Sequence, residues 1–141
     1  MTRSELVQFL RKYKLAVQAS CGSSGPQAAV VGFAVSDALE LVFDTLESTR
    51  KYQNLRADPR IALVVGWDDA ATAQIEGRVD FPVGDERERI RQCYFVAYPD
   101  GRERLAWPGI THARVRPTWI RYSDYTLDPP RIVELTGSEL A

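Results

Sequence analysis

Thiol and imidazole chemistry is scarce in this chain of 141 residues, which has two cysteines and one histidine. Cys21 and Cys93 lie far apart with no Cys-x-x-Cys spacing, so a disulfide framework is excluded. With His112 as the sole imidazole, a zinc site built on histidine or thiolate is not expected. Cys93, in a helical stretch, reads as a small apolar filler, and Cys21 beside Gly22 has no base or cation tied to it that would activate a thiol. An excess of either charge is also missing. Lys and Arg number 18 against 19 Asp and Glu, for a net charge of -1. That balance argues against a general nucleic-acid binder, which needs a clear cationic surplus. No stretch approaches the ~20 apolar residues of a membrane span, and residues 1–14 are mixed and charged, without an apolar signal core. The expectation is a soluble, cytoplasmic protein without membrane or nucleic-acid partners. There is no internal repeat and no low-complexity tract, and the length suggests one domain over residues 1–141.

What is there is organised around residues 44–59, Asp-Thr-Leu-Glu-Ser-Thr-Arg-Lys-Tyr-Gln-Asn-Leu-Arg-Ala-Asp-Pro. Apolar runs at 39–43 and 61–65 flank it as strands. Leu46, Tyr52 and Leu55 recur at spacings that suit one helical face, and Pro59 stops the helix. Ser48 or Thr49 is placed to cap the first turn, whose free N–H groups and positive dipole end seat a phosphate well. Arg50 and Lys51 put cations where the dipole favours acids, which costs a few tenths of a kcal/mol unless an anion meets them. Paired guanidinium donors and a mobile ammonium suit phosphate oxygens. Solvated basic residues at an ordinary helix start are the competing reading of the same pattern.

Along the chain, residues 4–14 read as an amphipathic helix capped by Ser4, and 15–19 as a half-buried strand of alternating apolar and polar residues. Residues 21–26 read as a loop, and 28–35 as a strand interrupted by Gly32. With the 39–43 strand these form an expected antiparallel meander. Residues 61–67 and 72–81 follow as strands, the second with Gly77 at a bend. A helix is expected over 86–97, with Ile90, Cys93, Tyr94 and Ala97 on one face and Glu86 to Arg89 and Arg91 in solvent. Closing strands are expected at 112–115 and 118–122, joined near Pro117, with a last short one at 132–135. Six or more short strands with few long helices point to a mainly β, α+β antiparallel barrel of six to eight strands. Strand-helix-strand alternation is absent, which disfavours a doubly wound dinucleotide fold.

Three stretches then resemble the pyridoxamine 5'-phosphate oxidase-like group of FMN-binding split β-barrels. The sharpest is Val42-Phe43-Asp44-Thr45-Leu46-Glu47-Ser48-Thr49-Arg50-Lys51, followed by Asp58-Pro59-Arg60-Ile61-Ala62-Leu63-Val64. The others are Gln74-Ile75-Glu76-Gly77-Arg78-Val79 and Trp119-Ile120-Arg121-Tyr122-Ser123-Asp124-Tyr125. The resemblance implies a homodimer holding FMN at its interface, the phosphate on Thr49, Arg50 and Lys51, and Thr45 against the ring or ribityl chain, with Ser48 a further candidate cofactor contact. Gln74 is a weaker candidate contact, because the family glutamine position two residues earlier is Thr72 here. Trp119 is a candidate for stacking across the interface, with barrel packing as its competing role. The tail at 126–135 lacks the Arg- and Trp-bearing segment of the vitamin B6 oxidases, so that activity is not assigned. The implied function is an FMN-dependent oxidoreductase acting on a small-molecule redox substrate. A flavin carrier or sensor, and a deazaflavin-dependent reductase on the same fold, are the alternatives. His112, which titrates near neutrality when unperturbed, is either a proton donor or structural. Glu76 and Arg78 are expected to pair across strands.

Overall fold

In the computed structural model, which describes residues 1–141, Thr2 opens the first helix, α1 (Arg3–Leu10). Its hydroxyl accepts from the Glu5 N–H at 3.1 Å and the Glu5 carboxylate accepts from the Thr2 N–H at 2.8 Å. This capping box starts the helix ahead of Ser4 and takes the cap role expected of it. Next come β1 (Leu15–Gly22), β2 (Gly25–Gly32), β3 (Ala34–Val35), β4 (Leu41–Leu46), α2 (Arg50–Ala57), β5 (Arg60–Val65) and β6 (Ala71–Asp80). The chain continues through α3 (Gly84–Ala97), a 3₁₀ segment (Pro99–Ala106), β7 (Ile110–Asp124), β8 (Arg131–Thr136) and a last 3₁₀ turn (Gly137–Leu140). The stretch expected as a loop at 21–26 is a tight hairpin, with Gly22 opposite Gly25.

The strands form one eight-stranded sheet in the order β2-β1-β5-β6-β7-β4-β3, with β8 added on β7. All pairings are antiparallel, and the curled sheet is a split β-barrel with flanking helices. The expected meander of the first three strands does not form. β2 pairs only with β1, while β4 lies between β3 and β7. The chain changes direction at Gly32 and Phe33, so β2 and β4 stand at the two sides of an open seam in the barrel.

Inside the barrel, Leu41, Phe43, Leu63, Ile75, Val115 and Ile120 pack around Leu6 and Leu10 of α1. β7 is a single 15-residue strand rather than two. Pro117 lies opposite Gly77 at a register shift, where Thr118 is the extra residue. A proline, which has no N–H for the ladder, is tolerated at such a bulge. The extra residue also re-phases the alternation, so that both Val115 and Ile120 face inward although five positions apart in sequence. Gly77 is required there, because a Cβ would come within 2.6 Å of the Arg116 carbonyl oxygen.

β1 inverts its expected pattern. Ala16, Gln18 and Ser20 are buried, while Leu15 is exposed and Val17 half-buried. The inward residues are small or polar because a polar cluster under α2 meets this part of the sheet.

A second layer lies outside the sheet, where Ile90, Tyr94 and Phe95 of α3 cover Val42 and Ala34. Its edge is an ionic clamp centred on buried Arg114 of β7. The guanidinium donates to both carboxylate oxygens of Asp80, at 2.9 and 2.6 Å, and to Glu86 at 2.6 Å. Arg89 in turn grips Glu40 with two bonds of 2.9 Å and Glu86 with two of 2.8 and 3.4 Å. Glu86 and Arg89, expected in solvent, thus tie α3 to the sheet. Arg89 hydrogen bonding, above all, holds the Glu40 carboxyl below the ordinary carboxylate range. Glu76 and Arg78 make no ion pair, since Glu76 faces Trp119 and Arg78 faces Arg60 and Arg116. Replacing Arg114 by Met leaves these carboxylates short of a cation. Because Asp80 and Glu86 are half exposed, the expected loss is about 3 kcal/mol, the low end for a broken buried pair, read from urea unfolding.

Candidate functional site

The corner where β4 passes into α2 is built by one hydroxyl. Thr49 is the N-cap of α2, with extended backbone, and its Oγ1 accepts from the Tyr52 N–H at 3.3 Å. Its own proton goes to the Leu46 carbonyl at 2.8 Å. The Thr45 Oγ1 lies 3.0 Å away, so Thr45 is the donor of that pair. A hydroxyl has one proton and two lone pairs, so the Thr49 oxygen is saturated. It aims the first turn and has no bond left for a ligand. Ser48, the alternative cap, is exposed in the turn and takes no part in capping.

Beyond the cap, the first intrahelical bond is Gln53 N–H to Thr49 O, which leaves the Arg50 and Lys51 N–H groups ahead of the ladder. The first turn contains no acid. Neither Arg50 nor Lys51 meets a carboxylate, whereas nine other arginines form ion pairs. The Arg50 guanidinium lies against the side-chain amide of Gln27 on β2, and turning that amide oxygen toward Arg50 makes it the acceptor. The Asn54 amide sits 2.7 Å from Gln27 and 3.1 Å from Ser20 Oγ. Arg50, Gln27, Asn54 and Ser20 therefore form a polar line from the helix start to the inner face of β1.

That line borders the barrel seam. Ala29 of β2 lies on the inner side, in register with Gln18 of β1, yet it is exposed, whereas Val31 two residues on is buried. At the level of Ala29 the barrel side is open. Gln18, Ser20, Gln27 and Asn54 were not singled out by sequence reasoning. The signal available was a short strand whose inward positions are polar, which the apolar alternation in β1 concealed.

The other sequence candidates lie elsewhere. Gln74 is exposed on the outer face, opposite Val64 and Arg121, and Trp119 is half-buried on that same face opposite Glu76. Thr45 points inward with Phe43, so Gln74 and Trp119 are on the other side of the sheet from it. Cys21 is exposed, and burial pushes the half-buried Cys93 thiol up. A cleft of about 630 Å³ lies between α1 and α3, lined by Leu10, Arg11, Lys14 and Cys93 among others, and holds none of the candidates.

His112 belongs to the α3 layer. It lies opposite Asp44 and under the ring edges of Tyr94 and Phe95, with only 1 % of its surface exposed. The Arg91 Nε–H donates to Nδ1 at 3.3 Å, which places the ring proton on Nε2, itself without a partner. Nearby, Arg104 donates to Asp44 at 2.7 Å and to the Tyr94 hydroxyl at 3.2 Å, and that hydroxyl donates to Asp44 at 3.2 Å. Burial, reinforced by Arg91, pushes the His112 pKa down to about 4. His112 faces away from the Thr45 corner and is set as a structural, neutral residue.

The fold is that of a split β-barrel, and the comparisons agree at the family level. Residues 2–123 match the family model described as pyridoxamine 5'-phosphate oxidase. The chain belongs to the pyridoxamine 5'-phosphate oxidase family. A haem-binding protein from Mycobacterium smegmatis superposes with a TM-score of 0.83 at 18 % identity, covering 99 % of this chain and 60 % of that one. The chain thus spans about 60 % of the length of that relative. A pyridoxamine 5'-phosphate oxidase-related, FMN-binding protein from Nostoc punctiforme gives 0.72 at 10 % identity, over 99 % of this chain and 89 % of that one. A protein related to general stress protein 26, from Clostridium acetobutylicum, gives 0.72 at 16 % identity, over 99 % and 96 %. At such identities the likeness shows the fold alone. No curated protein sequence matches the chain. No helix is long and apolar enough to cross a membrane.

The buried imidazole has a measurable consequence. Above pH 6.5 the ring is neutral folded or unfolded; as pH falls toward 4 only the unfolded chain takes up the proton, so stability falls. The expected loss across that window is about 3 kcal/mol. Urea unfolding at stepped pH should show most of it between pH 6.5 and about 5 in the native chain and not in His112→Gln, because the lowered Glu40 and Glu86, with ordinary values of 4.5, act mainly below that window.

Proposed function

We propose that the chain binds FMN at the α2 corner and acts as an FMN-dependent oxidoreductase on a small-molecule substrate. The observation that carries this reading is the pair of cations, Arg50 and Lys51, without carboxylate partners at a capped helix start beside the open seam. An anion there meets the helix dipole, free first-turn N–H groups and two side-chain charges together. The residues fit a flavin phosphate: Arg50 and Lys51 supply charge-assisted donors, Thr49 orders them, and Ser48 has a free hydroxyl at the same turn. Thr45, with its proton committed to Thr49, presents lone pairs that accept from the ligand. When bound, the flavin supplies two-electron redox chemistry at its ring, and the protein supplies binding, orientation and exclusion of water. A deazaflavin phosphate could use the same corner, and the absorbance of the loaded protein separates the two. Haem held by imidazole is not favoured, because the only histidine is sealed under α3.

The site is open in a single chain, with Ala28, Ala29, Val30, Glu47, Ser48 and Arg50 all exposed. Next to it the outer sheet face carries a bare apolar patch from three adjacent strands: Val17 and Ala19, Ala28 and Val30, Ala62 and Val64. We infer that a second copy covers this patch and closes the site, a homodimer with cofactor at its interface. Gln74 and Trp119, on the outer face, could reach a cofactor only across such an interface.

Replacing Arg50 and Lys51 together by alanine should weaken FMN binding by about 1.5 to 3 kcal/mol per charge-assisted bond lost. That is roughly tenfold or more for each, measured by calorimetric titration, and an unchanged affinity rules out the corner as phosphate seat. For the dimer, Val30→Glu places a charge in the patch and should shift sedimentation from dimer to monomer with loss of FMN affinity. A native chain that sediments as a monomer at micromolar concentration overturns the interface.

A further inference from the structure

Gln18 is 1 % exposed, and its Oε1 has no hydrogen-bond partner. Buried carbonyls are almost always paired, and one that has given up water for nothing destabilises the fold. Two other buried polar atoms lack partners, and neither borders the seam. The His112 Nε2 lies beneath the aromatic edges of α3, and the Arg87 Nε lies at the start of that helix. Gln18, by contrast, stands on the inner face between Leu63 and Ala29, and Ala29 is where the barrel is open. It also extends the polar line from Arg50 through Gln27, Asn54 and Ser20. Ser20 and Gln18 are alternate residues of one strand face, about 7 Å apart. The line therefore begins with an uncompensated cation at the helix start and ends, deeper in the barrel, in a neutral acceptor with nothing to accept. The surroundings would suit an apolar side chain, since Leu63, Ala16 and Ala29 are the neighbours in the sheet.

We propose that Gln18 reads the ligand: its Oε1 accepts a hydrogen bond from an N–H or O–H of the flavin whose phosphate sits at Arg50 and Lys51. This rests on the flavin reading above. The donors such a ligand offers are the ring imide N3–H and the ribityl hydroxyls. Either would relieve the orphaned carbonyl only when cofactor is present, making Gln18 a liability in the empty protein and a contact in the loaded one.

The test compares the native chain with Gln18→Met in two measurements, melting of the cofactor-free protein and titration with FMN and N3-methyl-FMN. The variant is expected to melt about 3 °C higher without cofactor, because the unpaired carbonyl is gone, and to bind FMN roughly tenfold more weakly. If N3-methylation weakens binding to the native chain but not to the variant, the donor is the ring imide. If the substitution weakens both ligands alike, the donor is a ribityl hydroxyl; both results support the contact. A cofactor-free variant that melts lower than the native chain, or an FMN affinity within about twofold of native, overturns it in favour of a structural role. Should methionine fail to fold, Gln18→Leu is read by the same criteria. A native chain that binds no FMN fails the flavin reading itself and this inference with it, which is distinct from a native chain that binds FMN while the variant binds it equally well.

Discussion

The Thr49 hydroxyl is the joint on which this structure turns. It ties the end of β4 to the start of α2 by donating to the Leu46 carbonyl, accepting from Tyr52 N–H and taking the Thr45 proton. All its bonding capacity is spent on geometry. The consequence is a helix start held rigidly at the barrel seam, with Arg50 and Lys51 carried where the helix dipole disfavours cations. A natural fold retains such an arrangement at small cost, and an anion at the same place reverses its sign.

The two faces of the sheet are treated differently, and that asymmetry decides where ligands and partners have room. Over β3, β4 and the first half of β7, α3 covers the outer surface, and the Arg114 clamp with its acidic partners holds it down. Under that cover Tyr94, Asp44 and Arg104 hydrogen-bond to one another beside His112, and burial, followed by the Asp44 charge, raises the Tyr94 hydroxyl pKa. Over β1, β2 and β5 nothing covers the sheet, and small apolar residues lie bare beside the open seam. The closed layer accounts for the lone histidine. The bare face is the one available to a second copy.

Polar residues inside the barrel fall into two kinds. Ser20, Gln27 and Asn54 lie within hydrogen-bond distance of one another beneath Arg50. Gln18 stands outside that group, although it shares the same strand face. A core that keeps one unsatisfied carbonyl beside an opening in its wall is poorer in stability than an apolar core of the same shape.

Much of this was legible from residues alone. The apolar runs, Pro59, Gly77 and the hydroxyl-plus-basic start at 48–51 fixed the strand, helix, strand unit at the corner, because periodicity, ring constraints and capping are local effects. Those residues also carried the family resemblance. Other features depended on partners distant in sequence. Which neighbour β4 would choose, β7 rather than β2, was settled by closure of the sheet, and Pro117 continued a strand because Gly77 offered a bulge opposite it. Which way β1 faces was decided by α2 packing above it, since an alternating strand reads equally well in either phase until something covers one side. His112 titrates near neutrality by type, and only the layer of α3 over it made it a silent core residue. Residue chemistry and short-range geometry thus belonged to the sequence, while exposure, register and the company each polar group keeps came from tertiary contacts, because burial depends on what the rest of the chain brings alongside.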